Sequence, residues 1–127
     1  MNRVRAEVEA SAAGPVERLD AYTAKKRYRF GESFVGFEGH FPGNPILPAF
    51  VQILMALSLV AEAFPGGHEL SGVTGAKFHL PIRPNVEIQV ECHDLTAGQR
   101  GRYRIRLTVV DRVASVFDLI VVRRGSL

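Results

Sequence analysis

Residues 39–64 read GHFPGNPILPAFVQILMALSLVAEAF, a rigid loop feeding a strongly apolar stretch. From Ala49 to Phe64 there is no Gly or Pro, and only Gln52, Ser58 and Glu62 are polar. Such a stretch predicts a helix about 24 Å long. A helix that is apolar almost all round must be buried on most sides, so other elements have to wrap it. Pro65-Gly66-Gly67 ends it. Upstream, residues 31–48 (GESFVGFEGHFPGNPILP) hold four Gly, three Pro and three Phe. That composition predicts an ordered loop pinned by its aromatic rings, with no regular element.

Outward from this helix the pattern changes to period two. Val4, Ala6, Val8 and Ala10 alternate with Arg5, Glu7 and Glu9, which predicts a first strand closed by Gly14-Pro15. Tyr22, Ala24, Tyr28 and Phe30 alternate with Lys25, Arg27 and Arg29 in a second. After the helix, Val73–Leu80 reads as a strand stopped by Pro81 and Pro84. Val86–Cys92 and Tyr103–Val109 alternate with charged neighbours, and Val113–Val122 is apolar on both faces, as a central strand would be. The sum is two strands, one long buried helix and four strands. The chain is expected to be α+β, an antiparallel sheet wrapped around one central helix, with residues 1–127 forming a single domain.

Composition narrows the function. Hydrophobic residues make up 46% and charged residues 23% of 127, which excludes a disordered chain. The net charge is +3, from 16 basic and 13 acidic residues, too small to argue for nucleic acid. One cysteine, Cys92, leaves no disulfide framework, and four scattered histidines give no metal spacing. Neither a metal nor a cofactor is expected. The N-terminal residues lack an apolar signal core, and the apolar run Ile46–Ala61 is interrupted by Pro48 and Gln52, so no membrane span is expected. The expectation is a soluble, cytoplasmic protein.

Chemistry concentrates at residues 39–49. His40 sits on a proline-stiffened loop just before a helix N-terminus. Free amides and a partial positive charge at a helix start stabilise a carbonyl gaining negative charge. A histidine beside it moves protons near neutral pH. Together they suit proton abstraction next to a carbonyl.

The string GHFPGNPILPA followed by an apolar helix resembles the 3-hydroxyacyl-acyl-carrier-protein dehydratases of the hotdog-fold superfamily. The resemblance continues at Ala76-Lys77-Phe78-His79-Leu80-Pro81-Ile82-Arg83-Pro84 and covers roughly residues 22–123. The ILPxxVQ wording is similar to a branch of small dehydratases from aryl-polyene pathways. The resemblance implies a homodimer, or a higher assembly of dimers, with active sites between subunits and acyl-thioester substrates on an acyl carrier protein. It makes His40 the base that takes the α-proton and the Ala49 N–H the donor to the thioester carbonyl, where the family has glycine. It places Phe41, Pro48, Leu54 and Ser58 at the substrate pocket. The family's second catalytic residue, a Glu or Asp fourteen positions after the histidine, is replaced here by Leu54. Two functions therefore remain open: a dehydratase running on one histidine, and a non-catalytic subunit that binds acyl thioesters.

Other candidates have plainer readings. His68 follows Gly66-Gly67 in a turn and is expected to face solvent. His79 is expected to be structural, near the proline bend, with pocket lining as the other reading. Cys92 and His93 are strand neighbours, so they face opposite sides and do not share a metal. Arg100, Arg102, Arg104 and Arg106 form a stripe, read first as a solvated face and second as a dock for an acidic carrier.

Overall fold

The computed structural model describes residues 2–37, 43, 45–96 and 101–123. Its elements are α1 (Asn2–Ala10), β1 (Glu17–Asp20), β2 (Thr23–Arg29), a 3₁₀ turn (Val35–Phe37), α2 (Ala49–Ala63), β3 (His68–Phe78), β4 (Glu87–Asp94), β5 (Arg102–Val109) and β6 (Arg112–Arg123). The strands form one antiparallel sheet in the order β1-β2-β4-β5-β6-β3. β6, expected as a central strand, is indeed an inner one, flanked by β5 and β3.

Alternation decides which face of the sheet meets α2. Ala24 and Tyr28 on β2, Ile88, Val90 and Cys92 on β4, and Tyr103, Ile105 and Leu107 on β5 are all buried, as are Phe117, Leu119 and Val121 on β6. They close on Val51, Met55, Ala56, Leu59, Val60 and Ala63 of α2, forming one core. At roughly 1.5–3 kcal/mol per buried large apolar side chain, this contact dominates the fold's stability. Arg18 of β1 finishes the helix: its guanidinium donates to the Ala63 carbonyl and lies 5.0 Å from the Phe64 ring centroid. A cation there also complements the negative end of the helix dipole.

Four expectations need correction. Residues 4–10 form helix α1, not a strand. Val4 and Val8 are four apart, so a two-residue and a helical period coincide there; Val8 is fully buried, while Ala6 and Ala10 face solvent. The sheet therefore holds more than a single helix, since α1 packs on α2. The missing first strand is β1, Glu17–Asp20, whose four side chains are all exposed and so carry no alternation. The 31–48 segment includes a short 3₁₀ turn, closed by a Phe37 amide to Phe34 carbonyl bond of 3.0 Å. His68 opens β3 half-buried, its ring edge-on to Tyr103 at 5.8 Å, instead of lying in a solvent-facing turn.

No helix is long and apolar enough to cross a membrane among the described residues. Burial pushes the Cys92 thiol up to about 12, which keeps it protonated and unreactive.

Candidate active site

The start of α2 is built without a side-chain cap. Pro48 occupies the N-cap with extended backbone, and its carbonyl accepts from Val51 at 3.1 Å and Gln52 at 3.2 Å. Ala49 and Phe50 precede these first intrahelical bonds, so their amides belong to the donors a helix start leaves over. The incoming chain is anchored just before this point, because the Leu47 amide donates to the Ile82 carbonyl at 2.7 Å.

Gln52 completes the arrangement. It is 4% exposed, on the inner side of the helix's first turn. Its Nε2 donates to the Leu47 carbonyl at 3.1 Å, and its Oε1 accepts from Ser115 Oγ of β6 at 2.6 Å. One amide thus joins the loop, the helix start and the sheet. Sequence reasoning left Gln52 without a role; the signal was a lone amide in the first turns of an otherwise apolar helix.

A cavity of about 370 Å³ opens at this helix start, lined by Pro48, Ala49, Gln52, Phe78, His79 and Pro81 among others. Among the described residues its lining is apolar apart from Gln52 and His79 and includes no acidic side chain. His79, read from sequence mainly as structural, sits at this cavity with an exposed side chain. Leu54 is half-buried on α2, near the exposed Phe50 one turn earlier. Ser58 is buried and opens elsewhere, on a charged cavity of about 400 Å³ shared with Arg5, Glu9, Lys26 and Glu62. The structure therefore brings Pro48 and Ala49 together and sets Ser58 apart from them. His40 and Phe41 lie outside the described residues, as does Arg100.

Arg102, Arg104 and Arg106 lie on the outer face of the sheet and are ion-paired. Arg102 and Arg104 both bind Asp118, at 3.0 and 3.1 Å, and Arg106 binds Glu91 at 3.2 Å. Cys92 and His93 do face opposite ways: Cys92 is in the core, and His93 Nδ1 lies 2.6 Å from Thr23 Oγ1.

Asp118 makes a pH prediction. Burial alone would raise its carboxyl, but hydrogen bonds and charge from Arg104 and Arg102 outweigh this and hold it below the ordinary value of 3.8. A carboxylate depressed by folding stabilises fully above its unfolded value, and that contribution is lost as pH falls through the folded value. Asp118→Asn should therefore lower stability at neutral pH and flatten its decline below pH 3.8, read from urea midpoints across an acid series. Parallel acid limbs in both proteins would overturn this.

Comparison with known proteins decides the family. The family model described as ApeI dehydratase, ApeI-like, matches residues 17–116. The chain belongs to the ApeI-like dehydratase family. Within curated proteins it is 37% identical over 116 residues to the 3-hydroxyacyl-[acyl-carrier-protein] dehydratase FabZ of Thermus thermophilus, covering 83% of this chain and 79% of that one. It is 35% identical over 94 residues to the FabZ of Chloroflexus aggregans, covering 66% of this chain and 64% of that one. Among solved structures it resembles the dehydratase heterocomplex ApeI:P from Xenorhabdus doucetiae, with TM-score 0.74 and 21% identity over 88% of this chain and 96% of that chain. That likeness is one of fold, and the sheet and its central helix are the hotdog arrangement. Helix α1 lies before the stretch this ApeI-like family shares.

Proposed function

We propose that this chain is a cytoplasmic dehydratase of 3-hydroxyacyl thioesters carried on an acyl carrier protein. The observation that carries the reading is the ApeI-like match across residues 17–116, which contains the GHFPGNPILP string and the helix start behind it. The thioester carbonyl takes the Ala49 N–H at the mouth of α2. His40 removes the α-proton, and the charge that develops on the carbonyl oxygen is held by that amide and the helix dipole. The same histidine returns the proton to the 3-hydroxyl, the C–O bond breaks, and water leaves with an enoyl thioester. With Leu54 in place of a carboxylic acid, His40 serves both steps. Phe41, Pro48 and Leu54 border the acyl chain in this reading, while the placement of Ser58 on the charged cavity weighs against its contact with substrate.

The assembly follows from exposed apolar surface. β3 is an edge strand with Leu70 and Phe78 exposed, and Phe50 of α2 is 48% exposed. An uncovered edge of eleven residues invites pairing. A homodimer that joins β3 edges and faces the two helices would cover this surface; light scattering should give twice the chain mass, and monomer alone would sink it. Carrier docking on Arg102, Arg104 and Arg106 would have to compete with Asp118 and Glu91, which supports the solvated-face reading of that stripe.

A second reading has its own support: among the described residues, none that lines the cavity at the helix start is acidic. In it the chain binds acyl thioesters without turnover, or takes a carboxylate from a partner subunit. Hydration of a short enoyl thioester by wild type and Leu54→Glu separates the two. Wild-type turnover supports the dehydratase. A silent wild type that binds the thioester and gains activity in Leu54→Glu supports the binding subunit.

A further inference from the structure

Helix α1 lies outside the family-matched stretch, and one of its side chains touches Val35, five residues before His40 in sequence. Glu7 Oε1 accepts the Val35 amide at 3.1 Å, while Oε2 takes Arg3 Nε at 3.3 Å. Val35 opens the 3₁₀ turn, and Val35–Phe37 runs directly into residues 38–44. A carboxylate accepting the first amide of a helical turn makes a charge-assisted bond of the stronger kind.

Glu7 is itself held from behind. Val8 beside it is fully buried, and Ser11 Oγ donates to the Glu7 carbonyl at 2.7 Å. The chain after α1 is stitched to β2 by Ala13 amide to Arg27 carbonyl and Arg29 amide to Ser11 carbonyl bonds of 2.8 and 2.9 Å. The turn it grips is tight: a Cβ on Gly36 would lie 2.3 Å from the Phe34 ring, and Phe34 packs on Phe30 at 4.5 Å. Further along the chain, Leu47 is held by the Ile82 carbonyl and by Gln52 Nε2.

We propose that Glu7 is a positioning residue, whose carboxylate holds the Val35 amide and with it the N-terminal anchor of the segment carrying His40. This rests on the dehydratase reading of that segment. Small displacements of a reacting group are costly in rate, about a hundredfold for 1 Å, so the tether should act on kcat more than on KM.

The test uses the full chain and a short enoyl thioester, with amide hydrogen exchange read in parallel. Glu7→Ala should lower kcat roughly ten- to a hundredfold with little change in KM. Glu7→Gln should keep most of the activity, because its amide oxygen still accepts the Val35 N–H. Exchange over residues 35–46 should accelerate in Glu7→Ala while β4–β6 keep their protection, which separates a lost tether from global loosening. Glu7→Met retains bulk without a carboxylate and replaces the alanine variant if that one does not fold. Unchanged exchange over 35–46, acceleration across the whole sheet, or faster exchange with unchanged kcat would each overturn the proposal. If the wild type turns over no thioester, the dehydratase reading fails on its own, and the exchange comparison alone upholds or removes the tether.

Discussion

Replacing His40 by alanine should reduce thioester turnover by about 10²–10⁴-fold, the range for loss of a single general acid–base. At 1.36 kcal/mol per decade this is roughly 3–5.5 kcal/mol of transition-state stabilisation. In the proposed one-histidine mechanism the loss belongs at the upper end, because Leu54 leaves the family's acid position without a carboxyl. KM should move little, since the proposed contacts of the acyl chain and of the carbonyl with the Ala49 amide do not involve His40. Leu54→Glu is the informative companion. If a helix carboxylic acid helps expel the hydroxyl, turnover rises in Leu54→Glu and His40→Ala in that background still falls. Leu54 is half-buried, so the new carboxyl is partly desolvated, and its pKa should rise toward the range useful to a general acid. A His40→Ala protein with wild-type kcat would remove histidine from the reaction and with it the one-histidine mechanism.

Much of the fold was legible because burial wrote itself into period and punctuation. The apolar stretch Ala49–Phe64 became α2 at Ala49–Ala63, ended by Pro65-Gly66-Gly67 as expected. β4 and β5 have one face on the core and one in solvent, and their alternating residues announced it. Legibility failed where burial was slight. β1 buries nothing, and α1 buries chiefly Val8, so neither offers enough apolar residues to distinguish a period of two from one of 3.6. The sequence motif pointed at the helix start and its proline loop. Hydrogen bonds between distant residues lay beyond it: Glu7 with Val35, Gln52 with Ser115, and the arginine stripe with Asp118 and Glu91. Each pair is separated by at least ten residues in sequence, and no local pattern records which side chains a sheet brings together.

Gln52→Leu should be the most destabilising conservative substitution near the site. It keeps the volume and removes both hydrogen bonds, leaving the Leu47 carbonyl and the fully buried Ser115 hydroxyl without Gln52 as partner. A buried polar group that loses its partner costs about 1–3 kcal/mol, so the pair should cost roughly 2–6 kcal/mol. For a domain of this size that lowers Tm by about 10 °C or more. Adding Ser115→Ala removes one of the two stranded groups, so the double variant should recover about 1–2 kcal/mol relative to Gln52→Leu alone. The double-mutant cycle then reads as a positive coupling between α2 and β6. Turnover should respond separately from stability, because Leu47 and Pro48 lead into Ala49, whose amide is the proposed donor to the thioester carbonyl. Well below its lowered Tm, folded Gln52→Leu should lose kcat in proportion to how far the helix start shifts. If Gln52→Leu melts with wild type and Ser115→Ala adds independently, the amide is a spectator, and the helix start must be held by the Leu47–Ile82 bond and core packing alone.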